Sequence, residues 1–288
     1  METTGATMTE TIIETINTIF LQFFSSIDST LYELLDKLVF LGPDILEFAW
    51  FEKIFQSHGI LLIANALLLG VCIYYGIRLF FSYFIGTEAI EKPYHFIFKL
   101  LLFGLCINFS FFLSEQFLTI HSYISESIRE LGKNLTGKDI SFLNLIEKLN
   151  RFTVNSDFTI FSFDGILKSF ISISLLNLLF TYALRYIMLL VFIILFPFAL
   201  LTLMNYSTRW FFQSWSRCFF SLLILEYLVD FILLLIFSIP FEKNQPFSML
   251  LLLGCMYALI RANHYIQQLV GGISISVTSN ISSLLKPK

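Results

Sequence analysis

ILKSFISISLLNLLFTYALRYIMLLVFIILFPFALLTLM, residues 166–204, is the stretch whose reading decides the fold. It is apolar almost throughout and carries no turn signal between Leu178 and Phe196. As one helix it reaches about 58 Å, against roughly 30 Å of bilayer hydrocarbon. Two readings compete: one long helix that projects beyond the membrane, or two short spans that turn at Arg185. With no Gly, Pro or Asn-rich turn around Arg185, the single long helix is favoured. Pro197 then loosens it ahead of an aromatic and basic connection, NYSTRWFFQSWSR, residues 205–217.

Such a stretch needs lipid around it, and the composition agrees. Hydrophobic residues make up 57% of the chain, charged residues 14%, and the mean hydropathy is +0.79. A soluble domain carries about 25% charged residues. The net charge of −3 gives no electrostatic grip on nucleic acid. Residues 1–58 hold nine acidic residues against Lys37 and Lys53, whereas the chain ends Lys286-Pro287-Lys288. Cys72, Cys106, Cys218 and Cys255 all fall in apolar stretches without C-x-x-C pairing, and read as small buried hydrophobes. The N-terminal METTGATMTETIIET lacks a basic region ahead of its apolar positions, so no cleaved signal peptide is expected.

Outward from the long stretch, the chain divides into five regions. Residues 1–58 contain two runs with helical apolar spacing, 9–24 and 29–41, neither clean enough to span. They read as amphipathic helices on the outer side, lying on the membrane or packing on a partner, with Gly42-Pro43-Asp44 ending the second. Residues 59–120 form a first transmembrane hairpin, with spans at about 59–85 and 98–120 and a polar connection of 86–99. Residues 121–165 are an extracytoplasmic loop with an amphipathic piece, DISFLNLIEKLNRF. Residues 166–268 hold the long helix and a C-terminal hairpin, with spans at about 218–239 and 247–265 joined by FEKNQP. Residues 269–288 form a flexible cytoplasmic tail.

The expected fold is therefore an all-α membrane protein of about five transmembrane helices, one unusually long, with amphipathic N-terminal helices outside. Arg78, Lys92, Lys99, Arg209, Arg217 and Arg261 collect at one set of span ends, which the positive-inside rule places in the cytoplasm. The N-terminus is then outside and the C-terminus inside.

Arg185, Glu226 and Asp230 sit deep in spans, where a charge costs roughly 2.5–3.5 kcal/mol on insertion scales. Glu226 and Asp230 are four apart and share a helix face. Counted from the predicted inner ends of their spans, Arg185 and Asp230 lie at similar depth, so Arg185 can pair with Asp230 or Glu226. An ion or proton path is one reading; a neutralising pair that sets helix register is the plainer one. Asn65, Asn108 and Asn177 read as interhelical hydrogen-bonding groups. Arg209, Trp210, Trp215 and Arg217 read as anchors at the cytoplasmic interface, or as a surface for a cytoplasmic ATPase. The four histidines lack ligand spacing, and no zinc-protease, nucleophile-elbow, P-loop or dinucleotide motif is present, so neither catalysis, metal nor cofactor is expected.

The block RYIMLLVFIILFPFALLTLMNYSTRWFFQSWSRCFF, residues 185–220, resembles the polytopic inner-membrane subunit of type IV secretion and conjugation machines, the TrbL-like family. Arg185 entering a hydrophobic span, Pro197-Phe198-Ala199, Thr208-Arg209 and Trp215 stand where that family's pattern has them. The resemblance implies a non-enzymatic channel or scaffold subunit in the bacterial cytoplasmic membrane. It further implies a homo-oligomeric ring, pilus or stalk proteins and a cytoplasmic ATPase as partners, and DNA or protein as the translocated substrate. The runner-up is a small-ion or solute transporter built on Arg185, Glu226 and Asp230.

Overall fold

A computed structural model of the chain describes residues 3–55, 59–85, 92–145, 148, 163–239 and 246–271. Among these residues every regular element is a helix: α1 (Thr3–Val39), a 3-10 turn at Pro43–Leu46, α2 (Ala49–Phe55), α3 (Ile60–Ile85), α4 (Pro93–Asn108), α5 (Ser110–Thr136), α6 (Phe163–Thr202), α7 (Arg209–Ser238) and α8 (Pro246–Val270). By length and composition, three stretches among the described residues are able to cross a membrane: Ala49–Phe84, Ile173–Thr202 and Tyr206–Ser238. The bent pair α4–α5 makes a fourth if it counts as one span.

The deciding stretch is one helix. α6 runs for 40 residues through Arg185 without a turn. Pro197 lies inside it and costs one backbone hydrogen bond, yet the helix continues to Thr202. The α6–α7 turn is tightly held: Thr208 Oγ1 donates to the carbonyls of Thr202 (2.8 Å) and Asn205 (3.2 Å), and Asn205 Oδ1 accepts the Ser207 N–H.

Elsewhere the helices depart from the expected boundaries. The two N-terminal runs are one helix, α1, which ends ahead of Gly42-Pro43 because the residue before a proline is pushed out of the helical region. Its C-terminal part is not on a surface: Leu35 and Val39 are fully buried, as are Phe51 and Phe55 of α2. The expected span 98–120 is broken at Phe109, where α4 and α5 meet at 62°. α5 continues to Thr136, so the first part of the expected 121–165 loop is helix, closed by Gly137 at φ +71°. The expected span at 218–239 begins at Arg209, and that at 247–265 extends to Val270. Residues 241–245 of the FEKNQP connection, residues 146–147 and 149–152 of the amphipathic 139–152 piece and the tail beyond Gly271 lie outside the described residues.

Two apolar clusters stack along the α6–α7 hairpin, an outer one far from the α6–α7 turn and an inner one near it. The outer one gathers Leu31–Val39 of α1, Ile140–Leu145, Leu175–Tyr182 of α6, Leu225–Phe237 of α7 and the inner face of α8. The inner one gathers Leu41–Phe55, Ala64, Ile107, Leu118, Leu189–Leu200 and Trp215–Leu223. Hence the chain between Leu31 and Phe55 passes from one cluster to the other. α5 runs parallel to α7 in register: Phe117 meets Phe220, Ser125 meets Asp230, and Gly132 lies against Leu234. A side chain at 132 would collide with Ile140 and Leu234, so glycine allows the close approach. α3 and α4 form an antiparallel hairpin fixed by Asn65–Asn108 and by the Tyr75–Phe96 stack at 3.6 Å. Among the described side chains of α3 only Ala64 is buried, so this hairpin leaves most of its apolar surface uncovered by the rest of the described residues.

Candidate functional site: a buried charged cluster between the two cores

Arg185 and Glu226 meet at the junction of the clusters. Arg185 lies seventeen residues before the end of α6 and Glu226 seventeen after the start of α7. In an antiparallel hairpin both are therefore about 25 Å from the turn. Arg185 Nη2 donates to Glu226 Oε2 at 3.0 Å, and both side chains are at most 1% exposed. Of the two pairings open in the sequence, Glu226 is the one used. α7 begins at Arg209 instead of Cys218, which puts Glu226, not Asp230, at the depth of Arg185.

The pair also holds the backbone where α1 ends. Arg185 Nη1 donates to the Val39 carbonyl (3.0 Å) and Nε to the Leu222 carbonyl (2.9 Å), while Glu226 Oε2 accepts the Leu41 N–H (3.2 Å). A helix end inside protein leaves carbonyl and amide groups that water cannot reach, and each costs about 1–3 kcal/mol if left unpaired. Arg185 and Glu226 satisfy one of each. The charged pair thus carries three structural tasks: mutual neutralisation, helix register and capping of the α1 break.

Asp230 is buried and accepts the Ser125 hydroxyl at 2.7 Å. Arg129 of α5 lies near enough to act on it electrostatically, but the two form no ion pair. The Arg129 guanidinium rests 4.3 Å from the Phe40 ring centroid, against the same end of α1. His121 completes the cluster. Its Nε2 lies 2.9 Å from the Leu223 carbonyl, which only accepts, so Nε2 carries a proton; Nδ1 faces Glu226 Oε2 at 3.8 Å. His121 Nδ1, Arg129 Nε, Glu226 Oε1 and Asp230 Oδ1 are buried without a hydrogen-bond partner among the described residues. His121, Ser125 and Arg129 escaped the sequence reading because they fell in a segment read as loop. Their spacing of four along one helix face was the available signal.

Outside the stretches able to cross a membrane, Asp36 holds Phe142 and Leu143, and Lys148 holds the end of α7. Asp36 accepts the N–H groups of Phe142 (2.7 Å) and Leu143 (3.3 Å). Burial pushes its carboxyl above the usual range, against the lowering effect of those amides. The Lys148 ammonium donates to the carbonyls of Ile236, Phe237 and Ile239 at the end of α7. Burial, reinforced by Lys138, brings it down to about 8.

The remaining sequence candidates separate. Asn65 and Asn108 exchange side-chain hydrogen bonds at 3.0 and 3.2 Å. Asn177 does not join them; it is half-buried on α6, where its carbonyl accepts Thr181 Oγ1. Trp210 is 65% exposed at the α6–α7 turn with Arg209 and Arg217, but Trp215 is only 6% exposed. As a member of the inner cluster, Trp215 is not an interface anchor. It stacks between Phe196 (4.8 Å) and Phe219 (5.1 Å), and its Nε1–H donates to the Phe192 carbonyl. Five residues from Trp210 is far from a whole number of turns, so the two rings leave α7 on different faces. None of the four cysteines is in a disulfide; Cys255 is buried and the other three are half-buried.

The chain matches no known protein family and no curated protein. Among the described residues, no three His, Cys, Asp or Glu side chains gather in a geometry for a metal ion.

Proposed function

We propose that this chain is a non-enzymatic channel or scaffold subunit of a type IV secretion or conjugation machine. It sits in a bacterial cytoplasmic membrane with the N-terminus outside and the C-terminus in the cytoplasm. The crossings are α3, the bent α4–α5 pair, α6, α7 and α8. Several copies support the base of a pilus or stalk and let DNA or protein substrate pass outward.

One observation carries this reading. Three residues of the TrbL-like pattern hold the α6–α7 hairpin: Arg185 ties α6 to α7 and α1, Thr208 closes the turn, and Trp215 locks α7 onto α6. A pattern spread over 36 residues that coincides with the structural ties of one hairpin fits a family framework better than chance apolar similarity. A fold so dependent on helix packing, with so much apolar surface left bare, also suits an assembly subunit.

The transporter alternative has less support. Arg185 and Glu226 are engaged with each other and with backbone groups, and Asp230 with Ser125. Site-specific photo-cross-linking in cells tests the proposal. A probe at Trp210 or another exposed position should capture translocating substrate or pilus components, and deletion should abolish transfer. Normal transfer without the protein would refute it.

A further inference from the structure

The α6–α7 hairpin carries a belt with no exposed polar side chain. Between Arg217 and Ser238, α7 exposes only Phe220, Phe231 and Leu235. Alongside, α6 exposes only Ile173, Phe180, Leu184, Ile187 and Val191. From Arg217 to Ser238 the helix rises about 31 Å, and the hydrocarbon of a bilayer is roughly 30 Å thick. The belt therefore marks the depth of the membrane on this hairpin.

α5 runs at the height of the belt, with Phe117 against Phe220, Ser125 against Asp230 and Gly132 against Leu234. At 3.6 residues per turn it has three sides. One is the buried stripe of Ser114, Leu118, His121, Ser125 and Gly132. To one side of that stripe Ile120, Ile124, Leu131 and Leu135 are exposed. The Phe117–Phe220 contact joins this apolar side to the exposed Phe231 and Leu235 of α7. To the other side lie Glu126, Glu130 and Lys133, all exposed, with Arg129 between them and the stripe. Ser122, Thr119 and Glu115, each half-buried, carry the same side inward.

Glu126 follows Ser125 and so stands level with Asp230, about 12 Å inward of the outer end of the belt. Charges at that depth face either a bundle interior or a water-filled cavity. Glu126, Glu130 and Lys133 are exposed, which leaves the cavity. The charged side also continues off α5. Lys133 pairs with Asp139 at 2.8 Å, and an open groove of about 520 Å³ is lined by residues 126–134 of α5 and by 139–141. The Arg129 guanidinium lies over Phe40, and the exposed Lys37–Glu33 pair stands within two turns of Phe40 along α1. At one depth the molecule is thus apolar on one flank and charged on another. A single copy ringed by lipid cannot accommodate both, whereas a subunit with lipid on one flank and water on the other can.

We propose that the charged side of α5, from Lys133 inward to Glu115, lines a water-filled passage at the depth of the bilayer, with the groove beside residues 139–141 as its outer mouth. In the assembly proposed above, each copy turns its apolar side to lipid and this side to the shared interior. The proposal rests on that reading and names the surface along which its substrate passes.

The test uses the full chain in native membranes, with its four cysteines replaced by serine or alanine and single cysteines placed at exposed positions. Each variant is first shown to keep the unfolding temperature of its cysteine-free parent. Glu126→Cys and Glu130→Cys should react with a charged, membrane-impermeant thiol reagent about 100-fold faster than Ile124→Cys and Leu131→Cys, the penalty for bringing a charge into hydrocarbon. Bromolipids should quench a fluorophore at 124 or 131 and spare one at 126 or 130. Unreactive cysteines at 126 and 130 would overturn the passage, because lipid or protein then covers that side. Equal, fast reaction at all four positions would overturn it too, since this height would then lie outside the bilayer. The expected pattern together with normal transfer in a deletion strain would sink the secretion reading and leave the passage standing.

Discussion

Glu226→Gln isolates the charge of the buried pair while keeping its shape. The glutamine carbonyl still accepts from Leu41 N–H and from Arg185, so the α1 break keeps its acceptor. What is lost is the negative charge 3.0 Å from a guanidinium that is 0% exposed. Removing one partner of a buried ion pair costs about 3–5 kcal/mol, because the survivor stays buried and uncompensated. With unfolding entropy near 2.1 cal/mol/K per residue, a chain of this length shifts its Tm by about 5–8 °C. The assay is thermal unfolding of the detergent-solubilised protein, read by the monodisperse fraction on size exclusion. Asp230→Asn serves as the comparison, since Ser125 can still donate to the amide oxygen and Arg185 keeps its partner; its shift should be less than half as large. A Glu226→Gln shift under about 1 °C would refute the reasoning, because Arg185 would then have another neutralising route.

Three further outcomes follow from the same geometry. Trp215→Ala should cost about 3–5 kcal/mol, as buried aromatic truncations do, whereas Trp210→Ala should stay within about 0.5 kcal/mol; equal shifts in unfolding would show that both rings are interfacial. A double-mutant cycle on Asn65→Ala and Asn108→Ala should return a coupling of about 0.6 kcal/mol and no more than about 1.7 kcal/mol, and zero coupling would remove the hydrogen bonds from the account of the hairpin. For Lys148, the folded value of about 8 lies below the unfolded value near 10.4. The unfolded chain therefore holds more protons between those two pH values, and stability rises with pH across that window. Wild type should gain in Tm relative to Lys148→Met between pH 7.5 and pH 10, and a flat difference would contradict the burial of the ammonium.

How much of this was legible in advance depended on the range of the interaction involved. The uninterrupted α6 was readable because helix formation is local and 166–204 contains no competing turn chemistry before Pro197. The break at Phe109 follows the polar Asn108 but carries no proline or glycine, so the sequence reads as one span interrupted by Asn108; packing of α5 on α7 and of α4 on α3 pulls the two pieces into different directions. Trp215 and Trp210 looked equivalent in sequence and separated only when α7 found its face. The Ser125 hydroxyl that Asp230 accepts was not foreseen, because Ser125 lies 105 residues away on a segment too polar to be read as part of the bundle.

The sequence by itself determined that this is a helical chain with stretches apolar enough for a membrane, that α6 is long, and that Arg185 has two carboxylates of the next span within reach of its depth. Those are consequences of composition, of local turn chemistry and of the cost of a buried charge, which hold whatever the packing. Only the tertiary structure decided that Glu226 is the partner, that the pair caps the backbone between Val39 and Leu41, and that α1 and α2 thread from the outer core to the inner one. Each of those depends on groups far apart in sequence reaching the same height. That height is set by where helices begin and bend, which side-chain packing fixes and local propensity does not.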